Sequence, residues 1–300
     1  MKKALVLVLV AAVMFSSGCL EGILGKGETI GTGYGVIVET YEPDFSDIET
    51  GDNFDLYFEV QNNGGSDATS TNAHLYDWHE TGKVLGIGTL SAPDELAGLP
   101  GDIYDGVFDV TAPSDLPEGV VYTYTPKVRL MYKYKTTAST IIPALKKDEY
   151  KRLKERNQLN IPPVTTDVSK GPLAVSIAAQ SPVIIDDADE DTIDFRINID
   201  LLGKGTVYNH SASTTNMQVN TDDLDKIEMT ILTADGIAGA VDCDAYISGE
   251  AIEMRRGKTA VYSCELNVSD FIATKNIPIT IEIDYNYFED FSTSVTVTGE

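Results

Sequence analysis

From Phe54 to Val60 the chain alternates strictly: Phe54, Leu56, Phe58 and Val60 are separated by Asp55, Tyr57 and Glu59. A period of two over this length predicts a strand with one buried face. The pattern stops at Gln61-Asn62-Asn63-Gly64-Gly65, a polar, glycine-rich corner. It then recurs later in the chain, with Ile193, Phe195, Ile197 and Ile199 ending at Gly203 and Gly205. Before each of these strands stand a short apolar pair (Val36 and Val38; Val175 and Ile177), a proline (Pro43; Pro182) and an acidic turn. After each comes a glycine-led alternating stretch, "GDIYDGVFDVTAP" or "GKTAVYSCELNV". The last strands match as well: Val128, Leu130, Tyr132 and Tyr134 share one face of "KVRLMYKYKT", and Ile279, Ile281, Ile283, Tyr285 and Tyr287 share one face of "IPITIEIDYNYF".

Short strands bounded by Gly, Pro, Asn and Asp at this spacing indicate an all-β sandwich. The chain therefore reads as all-β, with two tandem immunoglobulin-like antiparallel β-sandwiches at residues 35–143 and 171–300. Between them, 144–170 reads as a short helical, proline-containing linker. Ala144 to Gln158 is rich in helix formers, and Ile161-Pro162-Pro163 cannot continue a helix. Within "HLYDWHE", alternation places His74, Tyr76 and Trp78 on one face and His79 on the other. That separation argues against a joint metal site, and Trp78 reads as a core residue.

The first half resembles the CARDB-type, cell-adhesion-related immunoglobulin-like domains of prokaryotic surface proteins. The matching stretches are "FEVQNNGGSDA" (Phe58 to Ala68), "LPGDIYDGVFDVTAP" (Leu99 to Pro113) and the strand with Tyr132 and Tyr134. The second half departs at its corner, where "LLGKGTVYN" stands. The resemblance implies a spacer or adhesive module.

The N-terminus carries Lys2 and Lys3, then an apolar run from Ala4 to Phe15. That run is shorter than the ~20 residues of a membrane-spanning helix, and it has the form of a signal-peptide core. "SSGC" follows, ending at Cys19, and resembles the lipobox of prokaryotic lipoproteins. The expectation is a signal peptide at 1–18, a lipidated Cys19 and a flexible tether at 19–34. This places the mature protein, anchored through membrane lipid, on the extracytoplasmic face of the cell membrane. With Cys19 lipidated, Cys243 and Cys264 are the remaining cysteines of the three. In an oxidising compartment they are expected to form a disulfide.

Charge narrows the partners. The chain has 22 basic and 47 acidic residues, a net charge of −25. Nucleic acid is excluded as a partner, because basic clusters carry that affinity. The exception to the acidity is the linker, where Lys146, Lys147, Lys151, Arg152, Lys154 and Arg156 outnumber Asp148, Glu149 and Glu155. It reads as a solvated helix, or as a docking site for acidic headgroups or the protein's own acidic face. Asp187, Asp189 and Asp191 have the alternate-residue carboxylate spacing of calcium loops, so calcium is the one candidate cofactor. Asn209-His-Ser211 and Asn267-Val-Ser269 are glycosylation triplets. No nucleophile elbow or His-Glu-x-x-His motif occurs. The expected function is a non-catalytic surface lipoprotein acting in adhesion, spacing or binding of a protein or glycan partner. The alternatives are a structural subunit of an envelope layer or filament, and an accessory component of a transporter or secreted enzyme.

Overall fold

A computed structural model describes residues 34–45, 47–186, 192–233, 241–244, 250–267 and 275–300. The first half contains β1 (Val36–Pro43), β2 (Asp47–Glu49), β3 (Asn53–Asn62), β4 (Ala68–Tyr76), β5 (Val84–Leu90), β6 (Ile103–Thr111), β7 (Val121–Tyr124) and β8 (Lys127–Lys146). Helix α1 (Lys147–Glu155) follows. The second half contains β9 (Thr166–Val168), β10 (Leu173–Ala179), β11 (Val183–Ile185), β12 (Thr192–Leu201), β13 (Thr206–Tyr208), β14 (Lys226–Thr233), β15 (Val241–Cys243), β16 (Ala251–Glu253), β17 (Thr259–Asn267), β18 (Lys275–Ser292) and β19 (Val295–Thr298). Among the described residues the protein is all-β apart from α1 and one turn of 3-10 helix at Thr221–Asp223.

The alternating strands are buried as their patterns predict. Phe54, Leu56, Phe58 and Val60 on β3, and Ile193, Phe195, Ile197 and Ile199 on β12, all face one contiguous core that runs through both halves. β3 is the centre of sheet β1-β3-β6, and β12 lies within sheet β10-β12-β17-β15. Both halves also contribute to one nine-stranded sheet with the order β16-β14-β18-β8-β4-β5, to which β9, β11 and β13 also pair. A small sheet, β2-β19-β7, completes the set.

The shared sheet is built on one long antiparallel seam. β8, with 20 residues, pairs with β18, with 18, from Lys127↔Ser292 to Ala144↔Lys275. The same register continues from Tyr124↔Val295 to Val121↔Thr298, bridged at the break by the Thr293 amide donating to the Pro126 carbonyl at 3.2 Å. At its centre stands Lys133↔Asn286, flanked by Tyr132↔Tyr287 and Tyr134↔Tyr285. The sequence repeat equates Tyr132 with Tyr285 and Tyr134 with Tyr287. Exchanging the halves therefore maps the seam onto itself, and a pseudo-twofold axis passes through the Lys133–Asn286 pair.

The glycine corners follow from the same symmetry. Tyr134 Oη accepts from the Ser66 amide at 3.2 Å and donates to the Lys170 carbonyl at 2.9 Å. Tyr287 Oη accepts from the Gly205 amide at 2.7 Å. A methyl group at Gly64 would overlap the Tyr134 hydroxyl, and one at Gly203 would overlap that of Tyr287. Each corner is glycine because a seam tyrosine reaches into it. Burial pushes the Tyr134 phenol up to about 12, so it remains a hydrogen-bond donor across the physiological range.

Two details differ from the sequence reading. The stretch 144–170, expected to be a helical linker, begins as strand. β8 continues through Pro143 to Lys146 because Ala144 and Leu145 are buried and pair with β11, which outweighs their helix propensity. The helix covers only Lys147–Glu155, and β9, from the same stretch, also pairs with β8. The second difference concerns Trp78, which does not share a face with His74. β4 ends at Tyr76, and Asp77 adopts a left-handed conformation (φ 54) that turns Trp78 into the core against Phe54 and Tyr124.

His74 instead lies buried on the outer face of the shared sheet, under a strap formed by residues 209–217 of the second half. Its Nε2 donates to the Thr214 carbonyl at 3.1 Å, while Thr214 Oγ1 donates to the Ser70 carbonyl at 2.7 Å. Arg129 and Lys133 donate to the carbonyls of Met217 and His210. Asn286, fully buried, donates to the carbonyls of Asn209 and Ala212. The strap thus fastens the second half to β4 and β8 of the first.

Two predictions follow from this architecture. Gly64→Ala and Gly203→Ala should each destabilise by roughly 1–3 kcal/mol through overpacking, whereas Gly86→Ala, whose methyl would meet only Asn72 Oδ1 at 3.9 Å, should stay within about 0.5 kcal/mol; urea unfolding of the three variants measures this. The second concerns acid. Burial, helped by Arg129, holds the His74 imidazole below its ordinary value, so the unfolded chain takes up a proton that the folded one refuses. The resulting stabilisation is intact above about pH 6.5 and is lost as pH falls below it. Thermal melts between neutral and mildly acidic pH should show a loss that His74→Gln reduces.

Candidate functional site: an acidic cleft on the second-half sheet

The alternation that buries Ile193 to Ile199 sends Asp194, Arg196, Asn198 and Asp200 to the outer face of β12. β17 pairs with β12 so that Glu265 stands opposite Asp194. β15 pairs with β17 so that Asp242 stands opposite Glu265 from the other side. Three carboxylates therefore form a row across three strands, at the ~5 Å spacing of cross-strand neighbours. They line an open cleft of about 850 Å³, with Asp244 and Arg196 also on its wall. One guanidinium faces four carboxylates, which gives the cleft an attractive field for cationic groups.

The disulfide holds this arrangement. Cys243 and Cys264 lie directly opposite each other on β15 and β17, with Cα atoms 4.0 Å apart and both side chains buried. The bridge fixes the three-residue β15 to its neighbour and stabilises by about 3 kcal/mol on loop-closure grounds. Without it, a three-residue edge strand would hold Asp242 by backbone pairing alone, with Asp244 just beyond its end. The Asp244 amide also donates to the Ser263 carbonyl at 2.9 Å.

The other sequence-predicted residues are distributed as follows. Asp187, Asp189 and Asp191 lie outside the described residues, as does Cys19; the described chain resumes at Thr192, two residues before Asp194. Among the described residues, no three carboxylate, imidazole or thiol groups converge as metal ligands. The carboxylate row thus attracts cations without forming a chelating cage. Asn209 lies in the strap, where its side-chain amide donates to Asp223 at 3.4 Å and its side-chain oxygen accepts from the Ser211 amide at 2.9 Å. Asn267 ends β17, and the remainder of its triplet lies outside the described residues. His79 packs beside the Trp78 ring, 5.1 Å between centroids, away from His74.

Sequence reasoning did not find the row of Asp194, Glu265 and Asp242. The alternation places each of them on a wet face, but only the register of three strands distant in sequence brings them side by side. Compared with known proteins, the chain matches no family model and no curated protein.

Like charges directly opposite each other are destabilising. Glu265→Gln, at the centre of the row, should raise stability by about 0.2–1 kcal/mol at low salt, and the gain should shrink at high salt as screening removes the repulsion. Unfolding curves of both forms at two ionic strengths measure this.

Proposed function

We propose that the protein is a non-catalytic surface lipoprotein, held to the membrane through lipid on Cys19, that spaces and presents binding surfaces at the cell envelope. In this reading its two repeats are CARDB-type immunoglobulin-like units, laid edge to edge and joined into one body. The observation that carries it is the unshifted seam between the repeats. A module that holds a partner at a set distance needs stiffness, and a shared sheet resists bending better than two domains on a linker, which move relative to each other by default. The lipobox-like "SSGC" supports the anchor. Among the described residues no helix is long and apolar enough to cross a membrane. The acidic cleft suits a protein or glycan partner that carries cationic groups.

Anchoring is tested by Cys19→Ser. The variant should leave the membrane fraction for the soluble fraction with its thermal unfolding unchanged. Retention on washed membranes would remove the anchor from the reading.

A further inference from the structure

Among the described residues, two surfaces carry several charges that form no ion pair. The first is α1, which buries no residue. Among the described ion pairs, Arg152 binds Glu149 and Lys147 binds Asp186, while Lys146, Lys151, Lys154 and Arg156 form none. A helix of nine residues is too short to be stable in water by itself, and this one presents Lys147, Lys151 and Lys154 on one side at helical spacing.

The second surface is the outer face of β3 and β6. There Asp55 stands directly opposite Asp109, and Glu59 opposite Asp105. None of the four is in an ion pair among the described residues; Lys83, at the margin, is engaged by Glu80 and by the Asp109 carbonyl. Between the two carboxylate pairs lies an exposed apolar pair, Tyr57 (43%) opposite Val107 (39%). Like charges at cross-strand distance repel, so this face is most stable with cations laid across it.

We infer that the cationic side of α1 docks on the Asp55–Asp109 and Glu59–Asp105 face of a second copy of this chain. One molecule cannot make the contact with itself. α1 follows the end of β8, thirteen residues past the axis at Lys133 and so roughly 40 Å into the second half at strand rise, whereas β3 and β6 belong to the first half. Because the two surfaces differ, the contact is head-to-tail, closing into a ring or extending along a row of molecules. An anionic lipid surface is the weaker occupant for α1, because it would leave the Asp55–Asp109 and Glu59–Asp105 face without cations. The acidic cleft on β12 and β17 is also weaker, since Arg196 already stands among its carboxylates.

The test uses the purified chain as a mixture of isotopically light and heavy copies, treated with a zero-length carbodiimide that joins lysines to carboxylates. Light–heavy adducts linking Lys151 or Lys154 to Asp55, Glu59, Asp105 or Asp109 are expected, and they should fade at high salt. Lys151→Glu combined with Lys154→Glu should reduce them at least about tenfold by placing like charges together, without changing thermal unfolding. Mixing that variant with Asp105→Lys/Asp109→Lys copies should restore inter-copy adducts with reversed polarity. Absence of inter-copy adducts, adducts that land on Asp194 or Glu265, or adducts indifferent to the reversal would overturn the inference. Capture of the helix by phosphatidylserine vesicles in place of inter-copy adducts would overturn it in favour of lipid.

Discussion

The structure depends on the antiparallel seam between β7–β8 and β18–β19. Each repeat ends in an alternating strand that, standing alone, would be an exposed sheet edge with unpaired amides and carbonyls. Pairing the two edges satisfies both at once, and it does so in one register from Val121↔Thr298 to Ala144↔Lys275. A one-residue slip would turn the tyrosines of the slipped strand, Tyr132 and Tyr134 or Tyr285 and Tyr287, out of the core. The register is therefore specified at many positions, and the two halves share one sheet.

Much else is tied to that seam. The tyrosines at its centre reach into the glycine corners after β3 and β12, so the corners are set by the pairing as well as by local turn chemistry. On the opposite face, Asn286 beside the axis anchors the strap, and Arg129 and Lys133 hold its other points. The strap buries His74 next to Arg129, and burial holds the imidazole below its ordinary value. β19 crosses to pair with β2 and β7, so the chain's last strand belongs to the sheets of its first half.

The outer faces obey a different constraint. Alternation places the acidic residues outside, and strand pairing then lines them up carboxylate against carboxylate on both β3–β6 and β12–β17–β15. This arrangement costs stability within the isolated molecule and leaves two surfaces suited to cations. The cationic α1 stands apart from both. The body is mostly acidic and carries one basic projection, α1.

The sequence by itself determined the long alternating strands, their buried faces and the repeat, and it pointed to the Cys243–Cys264 pairing once Cys19 was set aside for lipid. Each of these rests on local periodicity or on the small number of cysteines. Phe54 to Val60 and Ile193 to Ile199 are buried as their alternation requires. Only the tertiary structure decided how the repeats meet, because a strand's pattern shows which face is wet but not which edge it joins. For that reason Ala144 and Leu145, helix formers by composition, lie in β8, where pairing and burial outweigh propensity. Trp78 parted from His74 because one left-handed residue, Asp77, ended the strand, and the sequence carries no strong mark of that. The row of Asp194, Glu265 and Asp242 was likewise invisible, since it comes from the register of strands far apart in the chain.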